Sequence, residues 1–158
     1  MGRTRVFVGF SSTDIREYNL MKAWKENNKI DFDFTDCQLH KELNSENEAY
    51  IKRKCRERID MAGTFIQLIG EDTRYKYKYV RWEAEVAREK GCRIIGVNLN
   101  GTRNYDPERC PKIIRDIGAV FVSYSPAIIS YALNNFKHSH DTGNRIYPPE
   151  VYRNLGYR

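Results

Sequence analysis

No apolar run in this 158-residue chain approaches the roughly 18 residues that a membrane-spanning helix needs. The first strand-like segment starts at Arg5, which leaves no room for a signal peptide and sets the expectation of a cytoplasmic protein. Gly2 does not begin a myristoylation site, because Val6 stands where a small hydroxyl residue is required. Cys37, Cys55, Cys92 and Cys110 form no Cys-x-x-Cys pair. His40, His138 and His140 make no helical metal motif, so no metal site is expected and the cysteines read as free thiols. There is no internal repeat and no low-complexity segment.

What is present is ordinary for one globular domain: 41% hydrophobic residues, 30% charged and a net charge of +6. The lysines and arginines are spread along the chain, which argues against nucleic acid as the partner and suits a phosphate-bearing small molecule or an acidic surface. Short apolar runs alternate with amphipathic stretches, the pattern of a parallel sheet covered on both faces.

Strands are expected at Arg5–Phe10, Ile30–Thr35, Gly63–Ile69, Cys92–Asn98 and Ala119–Ser123. Helices are expected from Asp14 to about Asn28, after a capping box of Ser45 and Glu48, over Val80–Lys90, within Pro107–Asp116 and from Pro126 to about Phe136. Ser11-Ser12-Thr13-Asp14 is suited to capping the first helix. Right-handed crossovers then predict a flavodoxin-like α/β fold, with five strands in the order 2-1-3-4-5 and helices on both faces. Residues 1–137 form the domain, and 138–158 read as a polar tail packed on it or extending from it.

The most informative segment follows the third strand. On a wheel of about 100° per residue, Val80, Ala84 and Ala87 form an apolar stripe with Val86 at its edge. Glu83 falls inside that sector, while Arg81, Glu85, Arg88 and Glu89 face the other way. A carboxylate on a buried stripe must be paired, protonated or kept for chemistry. Ligands in doubly wound sheets bind at the carboxyl ends of the strands where the winding reverses, here between the first and third strands. The loops meeting there are Phe10–Asp14, Gly70–Tyr79 and Thr35-Asp36.

These residues carry a family resemblance. Phe10-Ser11 at the end of the first strand, Ile69-Gly70-x-x-Thr73 leaving the third, Tyr79-Val80-Arg81-Trp82-Glu83 and then Gly91-x-x-Ile94-Ile95-Gly96 resemble the TIR-like domains of the bacterial Thoeris anti-phage system. The resemblance spans roughly residues 4 to 136. It implies a TIR fold that cleaves the nicotinamide–ribose bond of NAD, with NAD as substrate and no resident cofactor. It implies further a phage-derived trigger, self-association through TIR surfaces, and an ADP-ribose-derived product, cyclic or conjugated, that reaches a separate effector. The family's catalytic glutamate maps onto Glu83, its first-loop residues onto Phe10 and Ser11, and the loop after the third strand onto Thr73. Tyr79 stands where wider TIR domains have Trp.

Each candidate also has a plain structural reading. Glu83 either stabilises an oxocarbenium-like ribose or forms an ion pair with Arg81 or Arg93. Ser11 and Ser12 bind phosphate or ribose, or cap the next helix. Phe10 stacks on a base or belongs to the core. Asp36 binds a ribose hydroxyl or serves a turn, and Thr73 touches ligand or caps its loop. Tyr75-Lys76-Tyr77-Lys78-Tyr79 reads as a basic, aromatic rim of the pocket or as a contact for a second domain. The basic run Lys52, Arg53, Lys54, Arg56 and Arg58 reads as a solvated helix face. The alternative to an enzyme is a non-catalytic interaction module of the same fold. A response-regulator receiver is disfavoured, since Phe10-Ser11 and Ile69-Gly70 occupy the places of its carboxylates.

Overall fold

The computed structural model describes residues 5–30, 32–36, 48–76, 79–137 and 142–158. In it, a parallel sheet runs in the order β2-β1-β3-β4-β5-β6. The strands are β1 (Arg5–Gly9), β2 (Asp33–Asp36), β3 (Thr64–Ile69), β4 (Arg93–Asn98), β5 (Val120–Ser123) and β6 (Arg145–Ile146). Helices α1 (Ile15–Glu26), α2 (Glu48–Asp60), α3 (Tyr79–Glu89), α4 (Pro126–Asn135) and α5 (Pro149–Asn154) cover it. Among the described residues no helix is long and apolar enough to cross a membrane.

Alternation along the strands divides the core in two. Val6, Val8, Ile66, Leu68, Ile95, Val97, Val120 and Val122 face α1 and α4, where Tyr18, Met21, Ile128 and Leu133 meet them. Phe7, Phe65, Ile69, Ile94 and Phe121 face α2 and α3, packing on Ile51, Cys55, Ile59, Ala84 and Ala87. The stripe expected on α2, namely Ile51, Cys55, Ile59 and Ala62, is buried throughout. The helix ends as the sequence suggests, with Asn28 at φ 61° after α1 and Gly91 at φ 70° after α3.

Four expectations need correction. The sheet has a sixth strand, because Arg145–Ile146 pairs parallel with Val120–Phe121. After it, α5 buries Tyr152 completely. The helix expected within Pro107–Asp116 is a single 3-10 turn, Lys112–Ile114. Pro111 pushes Cys110 away from helical geometry, and Asp106 turns the chain by accepting from the Glu108 and Arg109 amides at 3.0 and 3.2 Å. Ser11 and Asp14 make no side-chain cap for the helical segments they precede. Finally, Cys92 and Cys110 are free and buried, but Cys55 is in a disulfide whose partner lies outside the described residues. The Ser45 half of the expected capping box also lies outside them.

The last residues are held by tyrosines. The Ser123 amide donates to the Tyr152 hydroxyl at 3.3 Å, and the Ile128 amide donates to the Tyr157 hydroxyl at 3.3 Å. The Tyr157 hydroxyl is also bonded to Ser125 Oγ. The Arg103 guanidinium lies 4.2 Å from the Tyr152 ring centroid and 5.7 Å from that of Tyr157.

Candidate functional site

Glu83 is 4% exposed, as its position between Val80 and Ala87 on the stripe requires. Its carboxylate lies against the last residue of β1. A Cβ placed on Gly9 would come within 3.2 Å of Glu83 Oε2 and 2.8 Å of Phe65 Cζ. Only glycine leaves room there for both the acid and the ring. The guanidiniums proposed as structural partners are engaged elsewhere. Arg81 Nε donates to Glu85 at 2.7 Å, while Arg93 donates to Thr64 Oγ1 and to the carbonyls of Leu133 and Phe136.

Gly9 pairs with Gln67 across the β1–β3 ladder. Gln67 is the polar interruption of an otherwise apolar strand, and it is completely buried on the same face as Glu83. Its Nε2 donates to the carbonyls of Gly9 and Leu68, each at 3.1 Å. Its Oε1 is buried with no hydrogen-bond partner among the described residues. Gly9, Gln67 and Glu83 thus form a polar cluster in an apolar face at the carboxyl ends of β1 and β3.

A second cluster lies around the two loops that leave these strands. Thr13 Oγ1 is 3.0 Å from Ser11 Oγ and donates to Asp72 at 2.9 Å. Asp14 packs over Gly70 so closely that a Cβ on Gly70 would meet Asp14 Oδ2 at 2.5 Å. That oxygen is buried without a hydrogen-bond partner among the described residues. Burial, reinforced by the charge of Asp72, raises the Asp14 carboxyl to about 6. Burial pushes Asp72 up as well, but bonds from Thr13 and Ser11 and the Lys76 charge outweigh it and leave that carboxyl below its ordinary value. Two neighbouring acids are therefore driven apart in proton affinity.

The expected site residues divide accordingly. Glu83 is in the cluster with Gly9 and Gln67. Phe10 is not: it points to the opposite face and stacks on Tyr18 at 4.6 Å between ring centroids. Ser11 is buried and bonded to Thr13, while Ser12 is exposed in the 3-10 turn Ser12–Asp14. Thr73 holds its own loop, accepting from the Gly70 amide at 2.8 Å and donating to the Leu68 carbonyl at 3.4 Å. Tyr79 opens α3 and meets Trp82 edge-on at 5.3 Å. Asp36 ends β2 beside Val8; its side chain lies outside the described part, as do Tyr77 and Lys78. Gly9, Gln67 and Asp72 are additions that the sequence reading did not single out. A lone glutamine inside Thr64-Phe-Ile-Gln-Leu-Ile69 was the available signal for one of them.

Beside this cluster, a groove of about 510 Å³ runs between the loop at Thr73–Lys76, the first turn of α3 and the segment from Pro107 to Arg115. Gln67 lines it too. The basic run on α2 is a largely compensated face: Arg56 pairs with Glu89 at 2.9 Å, Lys54 with Glu57 at 3.2 Å, and Lys52 sits 4.1 Å over the Trp82 ring.

Compared with known proteins, residues 7–104 match the family described as Thoeris protein ThsB, TIR-like domain. No curated protein matches the chain.

Proposed function

Because the chain belongs to the TIR-like domain family of the Thoeris protein ThsB, a setting that suggests a role in anti-phage defence, we propose that it cleaves the nicotinamide–ribose bond of NAD to produce an ADP-ribose-derived signal. The observation that carries this reading is the placement of Glu83. An acid is buried on an apolar helix stripe, beside a glycine that leaves it room, at the point of the sheet where such folds bind ligands.

The chemistry asks little more. As the C1′–N bond breaks, its electron pair leaves with nicotinamide, which departs neutral and needs no strong general acid. Positive charge grows on C1′ and the ring oxygen. A preorganised carboxylate in poorly hydrated surroundings stabilises that charge far better than water does. Glu83 serves in this role, held in place by its helix and by the Gly9–Phe65 wall. Water, an internal hydroxyl or another nucleophile then attacks C1′ from the open side, which decides between free, cyclic and conjugated product. Ser12, Tyr79 and Asp36 are assigned the ribose and phosphate contacts in this reading. Ser11 and Thr73 shape the loops. Phe10 acts through the core and makes no substrate contact in this reading. A phage component switches the protein on, self-association assembles it, and the product acts on a separate effector.

The test is nicotinamide release and product mass from NAD, with the purified chain alone and with extract of phage-infected cells. Glu83→Gln keeps the shape and removes the charge. It is expected to lower release about 10²–10³-fold with an unchanged circular dichroism spectrum. A Glu83→Gln variant that turns over NAD as fast as the parent would overturn the assignment.

A further inference from the structure

We infer that the groove between the Thr73–Lys76 loop, α3 and the Pro107–Arg115 segment is a binding site for a nucleoside diphosphate, adjoining the Glu83 cluster at Gln67. Its lining includes Arg74, Lys76, Arg81, Lys112 and Arg115 and no acidic residue. Two of these charges are already answered, Lys76 by Asp72 at 3.6 Å and Arg81 by Glu85 at 2.7 Å. The other three have no carboxylate partner among the described residues. Arg74 donates to the Glu108 carbonyl and the Tyr75 hydroxyl. Arg115 donates to the carbonyls of Cys110 and Pro107. Lys112 is exposed and forms no ion pair among the described residues. Neutral carbonyls orient guanidiniums without cancelling their charge, so the groove's lining keeps Arg74, Lys112 and Arg115 without an ion pair among the described residues.

Like charges gathered around a concavity repel one another, and an anion relieves that repulsion. Guanidinium forks and an ammonium are the groups that recognise phosphate oxygens. The charge count suits a diphosphate better than a monophosphate. The rest of the lining is not ionic: Tyr75, Val80, Pro107, Pro111 and Ile113 offer an aromatic ring and apolar faces for a flat base. Gln67, completely buried, closes the inner wall of the groove. The volume falls within the roughly 300–1,000 Å³ typical of small-molecule sites.

The site is tested by calorimetric titration of the full chain with ADP and, separately, with inorganic pyrophosphate. ADP is expected to bind at least about tenfold more tightly than pyrophosphate. Lys112→Ala and Arg74→Ala, both at exposed positions, are expected to weaken ADP binding about tenfold each, with Lys112→Arg close to the parent. Glu83→Gln is expected to bind ADP as the parent does, so a failure of NAD cleavage and a failure of this site are told apart. Absence of ADP binding at millimolar concentration in low salt would overturn the inference, as would ADP affinity indifferent to both alanine variants. A mixed-sequence single-stranded oligonucleotide that binds more tightly than ADP in a Lys112-dependent way would also overturn it, in favour of a nucleic-acid surface.

Discussion

The two faces of this sheet follow different rules. Toward α1 and α4, beyond Thr64 and Arg93 at the amino ends of β3 and β4, the strands β1, β3, β4 and β5 present valine, isoleucine and leucine. Toward α2 and α3 the rows start apolar, with Phe7, Phe65, Ile94 and Phe121, and then change near the carboxyl ends to Gly9, Gln67, Gly96 and Asn98. Glu83 meets Gly9 there, while the Phe65 and Phe121 rings pack over Gly9 and Gly96. One face keeps its polar residues to the amino ends of its strands. The other admits an acid and an amide at the carboxyl ends, beside two glycines covered by aromatic rings. That asymmetry within one core is what marks the site.

Substitutions can break the contrast in order of size. Leu68→Ala, on the continuous face, removes a completely buried side chain and is expected to cost about 2–5 kcal/mol of stability, read as a shift of the urea midpoint. Gly9→Ala and Gly96→Ala lie on the interrupted face and overpack it. The new methyl would lie 2.8 Å from Phe65 Cζ in the first case and 2.5 Å from Phe121 Cδ1 in the second. Each is expected to cost about 1–3 kcal/mol. They should differ in turnover: Gly9→Ala also presses on Glu83 and is expected to reduce nicotinamide release more than tenfold, whereas Gly96→Ala leaves it within a few-fold. Equal losses of activity in the two variants would show that Gly9 matters only for packing.

The smallest effect concerns the loop cluster around Asp14 and Asp72 and appears as a pH dependence. The Asp14 carboxyl rises from 3.8 to about 6 on folding. Between those values the folded protein holds a proton that the unfolded chain has lost, so this group's contribution to stability falls as pH rises through the window. Asp14→Asn cannot titrate and is expected to lose that part of the slope. Urea melts of parent and variant at pH 4.5 and 7 measure it, with the variant gaining on the parent at the higher pH. Parallel behaviour at the two pH values would mean that Asp14 is hydrated in solution.

The sequence made the site's helix legible because a period of 3.6 residues puts a charged residue on a buried stripe only when something holds it there. The sheet order was equally readable from strand and helix alternation. Phe10 shows the limit of reading loops as units. The two-residue period of a strand sends Gly9 and Phe10 to opposite faces, so membership of the same loop did not bring Phe10 to Glu83. Gln67 was visible as an oddity, but its meaning depended on knowing that Gly9 is its cross-strand neighbour. The sixth strand has two residues, both exposed, and such a segment carries no pattern to detect. The segment from Pro107 to Asp116 had helix-like composition, and Pro111 with the Asp106 turn decided otherwise.

The tyrosine hydroxyls near the chain's last residues have a consequence for how the protein opens. Ser125 precedes α4 without a side-chain cap of its own, and the Tyr157 hydroxyl takes the Ile128 amide instead. The first turn of one helix is therefore completed by a residue 29 positions further along the chain. Detachment of α5 and fraying of α4 become a single cooperative event, and amide protons at Ser123 and Ile128 should exchange with solvent at a common rate.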